Sequence, residues 1–468
     1  MRRHRVATLL VVLAPLALFV PPLLTRTPYL TVFDLSVWGN DWLRLSGCIG
    51  RWEFPCENNG ISKFPTAYLF DSYYVSAMRA RGLEPAWALG LLNTMFLALP
   101  VLLVVFVRGV RASLPLSLIY ILAILLTAVP PFYVFGTVEV QSGVVIGLCI
   151  SSLVLMQENL GRLHATVLSL LLFITSLLLP LYKDTNAIVL FVGLAITGIQ
   201  AWRAKRYDSK EPDPRIIRWR RSARLLLTGL CAALAISFTY NFVKGGSVLP
   251  LAYLDEAAQT SPRPAKILEF LAATYFSPNG GVIAFWGFAL WATVRLLPEF
   301  GFEVSRAGAC VALAVASIYS VILSCWWAPF GWDAWGDRLM VPAMLATVIC
   351  LTTTARKQGL GPQEPLRRQE TRESRSRRRR LARMIWDDAT IVIVLVSFHF
   401  TVVSYYSDKR ALWMASLFGG PRCAQMGRDL GPGEASMGLG FWRSDSYYAC
   451  ARERFIHVPV YIANQPRP

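Results

Sequence analysis

Eleven apolar stretches alternate with polar gaps along the chain, and the gaps sort by charge. Apolar runs of this kind predict membrane-crossing helices. The predicted spans are 6–24, 85–107, 114–128, 143–156, 164–180, 187–202, 225–242, 281–294, 307–325, 341–354 and 390–403. Several are shorter than the ~20 residues a perpendicular helix needs, which predicts some tilted or broken helices. Counting the N-terminal tail as the first gap, every odd gap carries arginine. The even gaps hold most of the acids and aromatics, and all the cysteines outside apolar stretches.

The charge alternation fixes an expected orientation, because basic residues are retained on the cytoplasmic side. Arg2, Arg3 and Arg5 precede the first span, and Arg108 and Arg111 follow the second. Nine basic residues lie between Arg203 and Arg224, and eleven between Arg356 and Arg383. With every span crossing once, all of these share one side. The N-terminus is then cytoplasmic and the tail from Ser404 exoplasmic. The first span has the basic-then-apolar order of a signal peptide. No small-x-small cleavage site follows Leu24, where the sequence is Thr25-Arg26-Thr27-Pro28, so an uncleaved helix is expected. The predicted fold class is an all-α membrane protein with about 11 transmembrane helices. One transmembrane domain is expected over 1–403, with a long first exoplasmic loop (25–84) carrying interfacial helices. A basic cytoplasmic loop (355–388) and an exoplasmic tail (404–468) complete it. No internal repeat of the transporter kind is visible.

Composition narrows the picture. Hydrophobic residues make up 54% of the chain and charged residues 16%, against roughly 25% charged in soluble domains. A net charge of +18 raises the question of nucleic acid. The excess sits in the odd gaps, where topology and anionic membrane lipid account for it, so no nucleic-acid partner is expected. Cys149, Cys231, Cys310, Cys325 and Cys350 lie in or beside apolar spans and are expected to be small core residues. Cys48, Cys56, Cys423 and Cys450 fall in exoplasmic segments, an even number on the oxidising side, which predicts two disulfides. Three pairings are open; Cys48 with Cys56 and Cys423 with Cys450 is the most local.

Three polar stretches in even gaps could carry chemistry. The first loop contains Phe33-Asp34-Leu35-Ser36-Val37-Trp38-Gly39-Asn40-Asp41-Trp42-Leu43-Arg44. A carboxylate just beyond the first helix could deprotonate an acceptor hydroxyl or hold a divalent cation facing a phosphate. Asp34 or Asn40 would equally suit a helix N-cap. The second stretch is Leu181-Tyr182-Lys183-Asp184-Thr185-Asn186. Lys183 lies away from the side where topology alone would put a lysine. It could contact a phosphate, with Asp184 orienting it, or Asp184 or Thr185 could simply cap the next helix. The third runs from Cys325 to Pro342, with four tryptophans, two aspartates and one arginine in the 13 residues from Trp326. An aromatic belt explains tryptophans but not Arg338 at the mouth of a helix. Arginine there can hold a lipid phosphate by paired hydrogen bonds. Four scattered histidines, no phosphate-binding glycine loop and no Gly-x-Ser-x-Gly elbow leave other chemistries unsupported. Gly143-Val144-Val145-Ile146-Gly147 matches a helix-packing pattern common in apolar segments.

These stretches, in this order and on one side, resemble the GT-C superfamily of integral-membrane glycosyltransferases. The likeness is to bacterial aminoarabinose transferase and protein mannosyltransferase-like members, and it spans roughly residues 5–354. Asp41-Trp42-Leu43-Arg44 fits the Asp-x-x-Arg spacing of some members, and Trp335-Gly336-Asp337-Arg338-Leu339-Met340-Val341-Pro342 is similar to their Trp-Gly-x-Arg-x-x-x-Pro pattern. The Lys183–Asn186 loop and Ser277-Pro278-Asn279-Gly280-Gly281 look like turns of bacterial members. The resemblance implies a polyprenyl-phosphate-linked sugar donor and an exoplasmic glycan, lipid or protein acceptor in a bacterial inner or plasma membrane. It implies Asp41 as the catalytic residue, with Arg44, Lys183, Asp184, Trp335, Asp337 and Arg338 on the substrates; Asp34 does not fit the family spacing and is kept as a further substrate-binding candidate from the first loop. Many relatives have two adjacent acids where this chain has Asn40, Asp41 and Trp42, so a divalent cation is left open as cofactor.

The competing expectations are a transporter or flippase for a lipid-linked or anionic solute, and a non-catalytic membrane scaffold. A transporter predicts ionisable residues or Gly/Pro breaks near mid-membrane. Here the ionisable residues cluster at the span ends, which suits an interfacial enzyme better. The orientation has a direct check: Ser446→Cys should be labelled by an impermeant thiol reagent from outside intact cells, and Ser374→Cys should not. The opposite pattern would invert every assignment of side.

Overall fold

The computed structural model describes residues 70–83, 85–127, 138–206, 214–249, 264–276, 281–325 and 338–357. It also describes shorter runs at 13–20, 50–53, 65–66 and 129–130 and single positions at Leu10, Cys48, Thr390, Val392 and Leu395. The fold is all-α. A 3-10 segment, Ala14–Phe19, lies in the first predicted span. The helices that follow are α1 (Ser72–Arg79), α2 (Pro85–Leu125), α3 (Val138–Leu155), α4 (Arg162–Tyr182) and α5 (Ala187–Arg206). Then come α6 (Pro214–Gly245), α7 (Pro264–Phe276), α8 (Val282–Glu299), α9 (Arg306–Ser324) and α10 (Val341–Thr353). Among the described residues seven helices are long and apolar enough to cross a membrane, and α10 is a shorter apolar one. The eleventh predicted span lies mostly outside the described residues.

The helix α2 contains two predicted spans. Gly109 takes φ 74 and ψ 162, a conformation that a side chain would oppose. Tyr120 OH donates to the carbonyl of Leu97 at 3.0 Å. Twenty-three residues of straight helix would separate that pair by roughly 35 Å, so the chain turns back at Gly109 and runs as two antiparallel arms, 85–108 and 110–125.

Loop contacts then sort the helix ends into two sets. At one end Arg108 Nη1 and Nη2 donate to Glu158 Oε2 and Oε1 at 2.9 and 3.2 Å, and Arg356 Nε donates to the same Oε1 at 3.3 Å. Two-residue strands, β1 (Phe302–Glu303) and β2 (Arg356–Lys357), pair antiparallel at this end. Gln157 Nε2 donates to Ser222 Oγ there at 3.2 Å. These residues all come from odd gaps or their edges, so this is the basic end. At the other, acidic end Asn186 meets Ser142, and Tyr275 and Ser320 share a hydrogen bond of 2.8 Å. With the two arms of α2 taken separately, no Asp, Glu, Lys or Arg stands in the middle third of a described membrane helix.

A central pair carries the packing. Every residue of α10 is buried, and so is every residue of α3 from Glu139 onward. Among the described helices the two make the most extensive contact. Gly143 and Gly147 let them approach: a Cβ on Gly143 would fall 2.9 Å from Leu345 Cδ2, and one on Gly147 2.8 Å from Ile349 Cβ. Ser151 and Thr353 share a hydrogen bond of 2.6 Å across the same face. Small residues at such a contact allow close van der Waals packing where burial from lipid gives no driving force. The surrounding helices expose Leu102, Leu170, Phe191 and Leu313 outward, as a surface facing hydrocarbon does.

Two sequence expectations are corrected here. Cys149 and Cys350 are buried, but Cys231, Cys310 and Cys325 are exposed rather than core residues. A membrane helix is apolar on its lipid side as well, so hydropathy cannot separate inward from outward positions. The gap between the predicted spans 225–242 and 281–294 also holds α7, a helix too short to register as a span, which packs on α8 and α9.

The central contact generates a test. Gly147→Ala should cost about 1–3 kcal/mol by overpacking and lower the thermal midpoint of purified protein. Gly198→Ala on α5, with nothing within 4 Å of the added Cβ, should leave the midpoint level or raise it slightly. Equal effects at both positions would remove the glycine contact as the cause.

Candidate functional site at the acidic end

The described polar side chains of the acidic end form a connected group. Asn93, about two turns inside α2, accepts a hydrogen bond from Gln141 Nε2 at 2.9 Å, and both residues are fully buried. Next to Gln141, Ser142 Oγ accepts from Asn186 Nδ2 at 2.7 Å. Asn186 Oδ1 accepts from Tyr319 OH, on α9, at 3.1 Å. A carboxamide in an apolar helix is costly unless paired, and these pair with one another.

Asp71 adds a carboxyl to the group. It lies ahead of α1, outside the membrane helices, with 0% of its surface exposed. It stands at the N-cap position of α1 but makes no capping hydrogen bond. Neither carboxyl oxygen has a hydrogen-bond partner among the described residues. Burial pushes its pKa up to about 8, and the nearby Gln141 side chain restrains the rise. The helix α1 is held over this spot by Val75, packed on Ala88, Leu89 and Leu92 of α2, with Tyr74 and Phe96 at the edge. Phe96 meets the ring of Tyr182 edge-on at 6.3 Å.

Of the residues singled out from the sequence, Lys183 and Asp184 are described. Lys183 is extended between α4 and a 3-10 turn, Asp184–Asn186, and both side chains are half-buried. Arg338 opens another 3-10 turn, Arg338–Met340, leading directly into α10. The backbone of Pro342 packs on Gly143, next to Ser142. The Lys183 loop, through Asn186, and the Arg338–Pro342 segment, through Pro342, therefore both touch the start of α3, at the successive residues Ser142 and Gly143, although more than 150 residues separate them in sequence. Asp34, Asp41, Arg44, Trp335 and Asp337 lie outside the described residues. Cys48 is disulfide-bonded and packs on Tyr240 near the acidic end of α6; Cys56, Cys423 and Cys450 lie outside the described residues. Among the described residues no three His, Cys, Asp or Glu side chains group closely enough to hold a metal ion.

No family model matches this chain, and no curated protein matches it. Among solved structures, the crystal structure of ArnT from Cupriavidus metallidurans in the apo state is similar in overall course. The TM-score is 0.44 with 14% sequence identity, over 99% of this chain and 78% of that chain. No residue correspondence is drawn from it.

Sequence reasoning missed Asp71, Asn93, Gln141, Ser142 and Tyr319. Asn93 left a usable signal: a carboxamide amid Leu91, Leu92 and Met95 needs a partner inside the protein. Asp71 left none, because nothing in a 60-residue loop marks one acid as buried.

The buried carboxyl predicts a pH dependence. Unfolded, Asp71 releases its proton near the ordinary value of 3.8; folded, it does so at about 8. Between those limits the unfolded chain binds fewer protons, so stability falls as pH rises through the window and levels off above it. Asp71→Asn removes this loss. The midpoint of Asp71→Asn relative to wild type should therefore climb steadily from pH 5 to 8; a difference constant with pH would show the carboxyl ionised in the folded protein.

Proposed function

We propose that this chain is a membrane glycosyltransferase that moves a sugar from a polyprenyl-phosphate donor to an exoplasmic acceptor of the cell envelope. The acidic end is then exoplasmic and the arginine-rich end cytoplasmic. The observation that supports this reading most is that the Lys183 loop and the Arg338–Pro342 segment both touch the start of α3, at the successive residues Ser142 and Gly143. Two cationic segments distant in sequence then serve one rim, as a lipid phosphate requires.

In this reading Asp41 takes the proton of the acceptor hydroxyl, or holds a cation that polarises it. The acceptor oxygen bonds to the anomeric carbon, and the bond from that carbon to the phosphate oxygen breaks. Its electron pair leaves with the polyprenyl phosphate. Negative charge grows on that phosphate, and Arg338 and Lys183 stabilise it. The lipid phosphate is itself the leaving group, so no nucleotide site is needed. Asp34, Arg44, Asp184, Trp335 and Asp337 bind the substrates, the tryptophan offering an aromatic face to the apolar side of a sugar ring. Asp71 takes no step: a carboxyl sealed from solvent and protonated below about pH 8 cannot receive the acceptor's proton.

The absence of ionisable residues from the middle of the described helices supports a rim enzyme over a transporter. The test is release of polyprenyl phosphate from polyprenyl-phosphate sugars by the protein in proteoliposomes supplied with cell-envelope lipid and glycan as acceptors. Asp41→Asn should abolish release while leaving the thermal midpoint unchanged. Arg338→Lys keeps the charge but loses the planar fork and should cut release by about tenfold or more. Asp34→Asn should be milder. Full release by Asp41→Asn would remove that residue from the mechanism. Translocation of a labelled lipid-linked sugar with no release would favour the transporter.

A further inference from the structure

Lys183 stands where the line of helix α4 breaks. Its backbone is extended, φ −165 and ψ 133, and such a break strands carbonyls and amides that a continuous helix would pair. Asn186 meets that need from two directions. Its backbone N–H donates to the Lys183 carbonyl at 2.9 Å. Its side-chain Nδ2 donates to the Leu179 carbonyl at 3.2 Å, the same carbonyl that accepts the Lys183 N–H at 3.3 Å. The carboxamide also donates to Ser142 and accepts from Tyr319, so both its polar atoms are engaged at 0% exposure.

Its two outer partners lead to the tryptophan-rich segment from opposite sides. Tyr319 lies five residues before the end of α9, after which that segment begins. Ser142 precedes Gly143, whose lack of a Cβ admits the Pro342 backbone, four residues past Arg338 where the segment ends. One carboxamide thus grips the lysine's backbone, the start of α3 and the helix leading into the tryptophans. A buried amide with every bond made in a low-dielectric setting fixes orientation more firmly than apolar contact does.

We propose that Asn186 is the positioning residue of this site, setting the Lys183 backbone against the Arg338 segment through Ser142 and Tyr319 so that the two cations address one phosphate. The inference rests on the polyprenyl-phosphate reading above. Its signature is selectivity for the phosphate, since lipid-tail binding does not depend on where a lysine points.

The experiment measures binding of undecaprenyl phosphate and of undecaprenol to full-length protein in nanodiscs, in parallel. Wild type should prefer the phosphate. Asn186→Asp keeps the shape but turns the donating amide into an acceptor, and should lower that preference by about tenfold or more. Tyr319→Phe and Ser142→Ala each remove one hydrogen bond and should lower it about fivefold. Undecaprenol binding should be unchanged in all three. Tyr275→Phe, which removes a hydroxyl bonded to Ser320 on the same helix as Tyr319, should keep full preference. If Asn186→Asp does not fold, the two outer variants decide. Unchanged preference in both, or an equal fall for both lipids, overturns the positioning role. A wild type that binds the two lipids equally overturns the polyprenyl-phosphate reading itself.

Discussion

The approach of α3 to α10 through Gly143 and Gly147 is the contact on which the rest depends. Both helices are buried along their length, so every other described membrane helix packs on this pair or on a neighbour of it. The same contact builds the site. Closing α10 onto Gly143 sets Pro342, just past the Arg338 turn, on the start of α3, where Ser142 holds Asn186 of the Lys183 loop. Bundle stability and the geometry of the polar rim are therefore set by one pair of missing side chains.

Much of the fold was legible because lipid imposes a simple rule: backbone polar groups must be satisfied within each crossing segment. The second to tenth predicted spans each coincide with a described helix, and the odd gaps converge as the arginine pattern requires, through Arg108, Glu158 and Arg356. Errors arose where polarity misleads. The start of α3 carries Glu139, Gln141 and Ser142, which look like loop residues; all three are buried helix residues, with Gln141 and Ser142 bonded to other segments. Pro180 suggested an end to α4, yet the helix continues to Tyr182.

The site was only partly legible for a related reason. Lys183 and Arg338 attract notice because cations on that side contradict the topological trend. Asn186, Gln141 and Asn93 carry no charge and lie among apolar neighbours, so their meaning depends on which segments they face. Pairing across 44 to 133 residues is invisible to any local pattern.

The enclosure of α10 also constrains how the molecule can be made. The helix is synthesised after all the described helices it packs on, yet it occupies the middle and is buried along its whole length. The earlier helices cannot close into their finished arrangement as they leave the ribosome, because the central place must stay open for a late arrival. Assembly is thus a threading problem, in which a late part is the keystone and the earlier described helices wait for it.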